Sequence, residues 1–253
     1  MKLFYREMGN GSPVIIVHGL FGMSDNWMNI AKQLADHYKV YLPDMRNHGS
    51  SPHNEEWSYD VMAEDLAEFI ELHKIKDPVL IGHSMGGKVV MKLVNEQPDL
   101  VKKLVVVDIS PRYYKPHHQH ILDAMNDLDL ESFESRQEAD EALKKSIKDW
   151  GIRQFLLKNI QRNKNGFEWK HNLALITKKI EEVGQSTMPE WPVETPSLFI
   201  RGANSDYISN GDIDEIKSQY VNSQVVTLKN AGHWIHAEQP EAFVKTITSF
   251  IEA

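Results

Sequence analysis

Six short apolar runs, at residues 14–17, 40–42, 79–81, 104–107, 198–200 and 225–228, constrain this chain more than any other feature. Each is too short for a helix, several are rich in β-branched residues, and turn residues flank them, so they read as strands buried on both faces. Segments 26–36, 59–73, 88–97, 212–220 and 242–252 lie between or after them, with apolar residues at three- and four-residue spacing. Such segments form helices that cover a sheet, and the alternation predicts a mainly parallel sheet with helices on both faces. One interval breaks the rhythm. Between residues 110 and 195 no good strand is found, and the charged amphipathic stretches 138–150 and 152–161 read as helices. Pro111 and Pro116 mark one edge of this interval, and Pro189, Pro192 and Pro196 mark the other. The expected organisation is therefore a core built from residues 1–110 and 196–253, with a helical cap over 111–195. A chain of 253 residues with 41% hydrophobic composition can bury such a core and an inserted subdomain together.

Charge narrows the partners. Lys and Arg number 28 against 36 Asp and Glu, a formal net charge of -8 that repels phosphate backbones and anionic lipid. No basic cluster overrides it, so a small uncharged or locally polar ligand is expected, with neither a nucleic acid nor a membrane as partner. The absence of cysteine excludes a disulfide framework, a thiolate nucleophile and a Cys-based zinc site. Residues 1–10 carry charges at Lys2, Arg6 and Glu7 and no apolar run of signal-peptide length, and no segment reaches membrane-spanning length, so a cytosolic setting is expected. Nothing in the sequence specifies an oligomeric state.

The chemistry is concentrated in VLIGHSMGGKVV. Gly82, Ser84 and Gly86 form GxSxG between a strand and a helix, the setting in which the motif makes a nucleophile elbow. The turn is strained, and side chains at the flanking positions would strike neighbouring backbone, so glycine is needed there. The following helix points its amino end at the site, and the Met85 N–H is placed to stabilise an oxyanion. A serine hydroxyl needs a base, and among twelve histidines His233, in NAGHWIHAEQP, directly follows a strand and can overhang the same sheet edge. His236 is the nearby substitute, whereas His83, fixed inside the elbow, and His48, in MRNHGSS, read as structural. HGLFG follows the first apolar run, where the Leu20 N–H would supply the second oxyanion donor and Phe21 is the alternative.

Together these residues resemble the α/β-hydrolase superfamily. HGLFGMSDNW, PDMRNHGSSPH, GHSMGGK, VDISP, RGANSDY and GHWIHAEQP are similar to one branch of it: small bacterial esterases of short-chain acyl esters and acyl thioesters, with their mitochondrial abhydrolase relatives. The likeness covers the sheet-forming chain and is loose across the cap. It implies an eight-stranded, mostly parallel sheet, a helical cap after the sixth strand, no cofactor and no metal. The activity it implies is cleavage of carboxylic esters or acyl thioesters of short to medium chain through an acyl-enzyme on Ser84. Cofactor-free C–C bond hydrolysis and perhydrolysis reuse similar parts, and a hydrolase fold serving only as a ligand sensor is the reading from a different class.

The third catalytic position has two candidates. The acid must accept a hydrogen bond from His233 and fix its tautomer. Many members of the superfamily place it in a GxxD pattern after the seventh strand, but three places after Gly202 stands Ser205, and Asp206 comes one residue late. Asp108, in LVVVDISP, lies at the end of the strand expected beside the nucleophile strand, and chain order admits both. The resemblance favours Asp108, because in that branch the acid can come from the end of the sixth strand, and holds Asp206 in reserve. Other clusters carry less. His117 to His120, HHQH, lack a carboxylate or cysteine at fixed spacing and read as a solvated cap entrance, while Asp44, Arg46 and His48 read as a turn held by local polar bonds. Phe133, Trp150, Phe155, Leu156 and Trp169 sit at helix-compatible positions and read mainly as cap core.

Overall fold

The computed structural model describes residues Met1–Ala253. In chain order its elements are β1 (Tyr5–Met8), β2 (Ser12–Val17), α1 (Met28–Leu34), β3 (Tyr38–Pro43), α2 (Tyr59–Leu72), β4 (Val79–His83), α3 (Met85–Glu96) and β5 (Lys103–Val107). Then come α4 (Gln119–Asn126), α5 (Arg136–Leu143), α6 (Trp150–Leu157), β6 (Ile160–Arg162), β7 (Phe167–Trp169), α7 (Leu173–Lys178) and α8 (Glu181–Gly184). The chain finishes with β8 (Ser197–Gly202), α9 (Asn210–Gln219), β9 (Ser223–Leu228), α10 (Ile235–Glu238) and α11 (Pro240–Glu252).

All six apolar runs are strands of one sheet, in the order β1-β3-β2-β4-β5-β8-β9. Every pairing is parallel except β1 with β3. The sheet has seven strands, not eight, so the helical insert follows the fifth strand and not the sixth. The eleven residues ahead of β2 hold a single extended segment, β1, which occupies the edge beside β3. The two faces of the sheet bury separate apolar layers. Ile15, Val17, Leu80, Val106 and Phe199 pack with α2, α3 and α9, while Ile16, Ile81, Val105, Leu198 and Ile200 pack with α1 and α11. Alternate residues of each strand thus serve opposite layers, which is why the central strands are apolar throughout.

The insert departs from an all-helical expectation. β6 and β7 form an antiparallel pair in which Ile160 faces Trp169, and α6 stops at Leu157 where one helix through residue 161 is expected from the sequence. The cause is turn chemistry: Asn163 N–H donates to the Gly166 carbonyl at 3.1 Å, and Gly166 has φ +142°, a value glycine supplies without strain. Likewise the charged stretch after Leu143 forms turns, and α6 begins afresh where the Asp149 carboxylate caps the Ile152 N–H at 2.8 Å. The insert shares the apolar layer of α2 and α3, through Leu122, Met125, Leu156 and Ile176 among others. No helix is long and apolar enough to cross a membrane.

Both legs of the insert are tied to α3 by one buried cation. Lys88, at 0% exposure, donates to the carbonyls of Pro111 at 3.3 Å, Arg112 at 2.5 Å and Gln185 at 2.6 Å, with the Tyr114 ring 5.1 Å from its Nζ. Burial, and secondarily the nearby Arg112 charge, lower its pKa to about 7.

Candidate active site

Parallel strands deliver their carboxyl ends to one edge, and the strand order reverses between β2 and β4, the place where such sheets leave a crevice. The HG loop leaves β2, Ser84 leaves β4 and Asp108 leaves β5 at this edge, and His233 lies five residues beyond the end of β9. Ser84 has φ 52° and ψ -118°, outside the regions open to ordinary L residues, and its N–H donates to the Val107 carbonyl at 3.0 Å. A Cβ on Gly82 would meet the Gly86 carbonyl, and one on Gly86 would meet the carbonyls of Val17 and His18. The elbow can therefore be built only with glycine on both sides of the serine.

His233 Nδ1 donates to Asp108 Oδ2 at 2.8 Å, which leaves Nε2 as the unprotonated face of the ring. Asp108 is fully buried, with φ 52°, and its carboxylate also accepts from the Gly202 N–H at 3.1 Å and from the Ser205 hydroxyl. These bonds compensate for removing a carboxylate from water. Asp206 is exposed and has no hydrogen-bond partner, so the structure brings Asp108 to His233 and leaves Asp206 apart. Ser84, Leu20 and His233 line one cavity of about 720 Å³ under the insert. Met85 lines a second space of about 20 Å³ that also borders Ser84, bounded by Tyr59 and Ile109. No hydrogen bond joins Ser84 to His233 in this structure; in ligand-free sites such contacts are often long and tighten on substrate binding.

Neighbouring residues fix the histidine. The Tyr207 ring stacks on His233 with centroids 4.1 Å apart, and His83 Nε2 donates to the His233 carbonyl at 2.8 Å. Burial, together with the adjacent His233 and His236, holds His83 well below the ordinary histidine range, so the neutral ring makes that bond. His236 stacks on Trp27 at 4.0 Å and is held neutral by burial, its pKa lowered to about 3. On the oxyanion side, His18 Nδ1 donates to the Gly19 carbonyl at 2.8 Å while Nε2 accepts from the Met45 N–H at 2.9 Å. That arrangement needs a neutral ring, and burial lowers the His18 pKa to about 4.

Of the remaining sequence candidates, His117 is exposed and pairs with the Tyr207 hydroxyl at 3.0 Å, while His118 reaches both spaces beside Ser84. No cluster of three or more His, Asp or Glu side chains has metal-holding geometry. Asp44 does stabilise its turn, accepting from the Ser50 N–H at 2.8 Å, but Arg46 pairs with Asp65 on α2 and so works at long range. Phe155 and Trp150 line the wide cavity, and Trp150 is 67% exposed at its rim, where sequence reading put both mainly in the cap core. Sequence reading missed Tyr207, whose role depends on stacking, and Ser205, for which a signal existed: it occupies the position where GxxD expects the acid.

A serine at the tip of a strained strand-to-helix turn, above a parallel sheet and beside a histidine and a buried carboxylate, defines the α/β hydrolase class. The chain belongs to the α/β-hydrolase fold family, whose sequence pattern matches residues 12–138. It is 38% identical to the sn-1-specific diacylglycerol lipase ABHD11 of Danio rerio, over 96% of this chain and 80% of that protein. Similarity to Esterase YbfF of Escherichia coli (strain K12) is 36% identity over 96% of this chain and 94% of that protein. A solved structure described as a marine microorganism esterase superposes with a TM-score of 0.96 at 42% identity, covering 98% of this chain and 99% of that one.

Proposed function

We propose that this α/β hydrolase cleaves small-molecule carboxylic esters or acyl thioesters, of short to medium acyl chain, through an acyl-enzyme on Ser84. The observation that carries the reading is the 2.8 Å bond from His233 Nδ1 to buried Asp108, because it fixes the tautomer that leaves Nε2 to accept the serine proton, on a ring that lines the same cavity as Ser84. In this scheme Ser84 Oγ attacks the carbonyl carbon as its proton passes to His233. The Leu20 and Met85 N–H groups hold the oxyanion, and the His233 proton leaves with the alcohol or thiol. Water, deprotonated by the same ring, then releases the acid. Asp108 stabilises the imidazolium formed in each half-reaction. Relatives named as esterases and as a diacylglycerol lipase support an ester as substrate.

Labelling with a serine-directed fluorophosphonate, followed by turnover of p-nitrophenyl acetate, tests this. Ser84→Ala abolishes both. Asp108→Asn lowers kcat by roughly 10³- to 10⁴-fold with the fold intact, as expected when the histidine loses its tautomer-fixing partner, and Asp206→Asn leaves kcat near that of the unaltered enzyme. The reverse ranking of the two aspartates overturns the acid assignment, and failure to label with no ester turnover overturns the enzyme. Acyl-chain series of simple esters and of CoA thioesters then define the preferred substrate.

A further inference from the structure

The oxyanion loop is held from outside its own chain segment. Leu20 and Phe21 are the central residues of a tight turn closed by the Gly22 N–H, which donates to the Gly19 carbonyl at 2.9 Å. Phe21 has φ 58°, a left-handed value that a bulky L residue adopts only where its surroundings enforce it. One contact that holds it there comes from the insert: Asn159 Nδ2 donates to the Phe21 carbonyl at 2.6 Å across 138 residues of sequence. Asn159 is itself buried and hydrogen-bonded on both sides of its backbone. It is 0% exposed, its N–H donates to the Leu156 carbonyl at 2.9 Å, and its carbonyl accepts from the Lys170 N–H at 2.8 Å, between α6 and the end of β7.

Planarity turns this contact into a relay. In a trans peptide the C=O and N–H point in opposite directions. The peptide whose carbonyl, on Phe21, receives Asn159 presents its N–H, on Gly22, to the Gly19 carbonyl. The next linked peptide, whose carbonyl is that of Gly19, presents its N–H, on Leu20, on the opposite side. We infer that Asn159 is a positioning residue of the oxyanion hole: through Phe21, Gly22 and Gly19 it aims the Leu20 N–H at the oxyanion of the acyl group bonded to Ser84 Oγ. The inference rests on the serine-esterase reading. It makes the insert part of the machinery that stabilises the transition state as well as a cover for the cavity. Linked hydrogen bonds of this kind polarise one another, so losing the first also weakens the last. His18 holds the same Gly19 carbonyl from the core side, so the loop is gripped from both directions.

Asn159→Leu removes the donor at similar volume, and Asn159→Asp keeps the shape but sets an acceptor against the Phe21 carbonyl. With p-nitrophenyl acetate, and active sites counted by fluorophosphonate titration, kcat per site falls by roughly 10- to 100-fold with KM little changed. This is less than the 10²- to 10³-fold expected for deleting a donor outright. Affinity for a trifluoromethyl ketone, which forms a tetrahedral adduct on the serine, falls by the same factor. Asn126→Leu, which breaks a different asparagine contact inside the insert, leaves both values unchanged. If kcat per site and ketone affinity hold while only the melting temperature drops, Asn159 merely fastens the insert and the inference is overturned. Should one variant fail to fold, the other decides by the same two readouts. An unaltered enzyme without ester turnover, or a Ser84→Ala variant that keeps it, overturns the esterase reading itself and is distinguishable on that ground.

Discussion

Ser84 and Asp108 share an uncommon backbone: each stands one residue past a strand, and each has φ 52°. The nucleophile was legible because its constraint is local; strand, elbow, glycines and helix are consecutive in sequence. The acid was only half legible. Its placement depends on the pairing of β5 with β8, which brings Asp108 under Gly202 and Ser205, and nothing in either segment alone reveals that contact. Ser205, standing where GxxD would put the carboxylate, instead donates its hydroxyl to Asp108. Glycine substitutions test how sharply the elbow is defined. Gly86→Ala sets a methyl group against the carbonyls of Val17, at the end of β2, and of His18 just beyond it, and backbone there cannot move aside. Urea unfolding should register a loss of roughly 1–3 kcal/mol, the usual cost of overpacking, together with reduced turnover. Gly211→Ala meets only Ser209 Oγ at 3.7 Å in the first turn of α9 and should gain up to about 1 kcal/mol by restricting the unfolded chain. Two Gly→Ala changes of the same sign would contradict this reading of the elbow.

At the level of elements, what could be read was what is buried on both sides. The runs in β2, β4, β5 and β8 are apolar at successive positions because both layers demand it, whereas β3 alternates and the edge strand β9 is at most half-buried, and both are read from short apolar cores. β1 escaped because it is an edge strand whose Tyr5, Arg6, Glu7 and Met8 are at most half-buried. The β6–β7 pair escaped because three-residue strands carry almost no periodicity, although Asn163 and Gly166 signalled its turn. Lys88 is an element-scale feature no periodicity reveals: a cation on the buried face of α3 that satisfies carbonyls at the start and end of the insert. Lys88→Met preserves length and apolar bulk while leaving three carbonyls without that donor. The expected result is local. Amide hydrogen exchange should accelerate in residues 111–116 and 183–187 while β4 and β5 keep their protection, since low-stability units open before the sheet does. Uniform acceleration across the sheet would mean that Lys88 supports the core and not the insert.

For the whole molecule, histidine sets the response to acid. His18, His48, His118, His171 and His236 are neutral because burial, in most cases reinforced by a neighbouring histidine, lowers their pKa values to about 4 for His18 and about 3 for the others. In the unfolded chain these rings titrate near 6.5. Their contribution to stability is therefore complete well above pH 6.5. As pH falls from 6.5 toward 4 the unfolded chain takes up protons that the folded protein refuses, and stability is lost. Each such proton weighs about 1.4 kcal/mol per pH unit, so five together withdraw on the order of 10 kcal/mol by about pH 5, comparable to the roughly 5–15 kcal/mol total of a typical domain. Lys88 acts in a different window: its pKa is lowered from 10.5 to about 7, so it makes stability rise from about pH 7 toward 10.5 and adds no slope in the acid range. His171 separates the histidine effect from general acid denaturation. It is buried between the rings of Phe21 and Trp169, and neither of its nitrogens has a partner, so His171→Phe deletes a titrating group without breaking a hydrogen bond. Urea midpoints measured at half-unit steps from pH 8 to 5 should fall steadily below 6.5 in the parent and less steeply in His171→Phe, by about one proton's share of the slope. Identical slopes would show that His171 is protonated in the folded state, and a parent midpoint constant down to pH 5 would show that the buried histidines as a group do not govern acid stability.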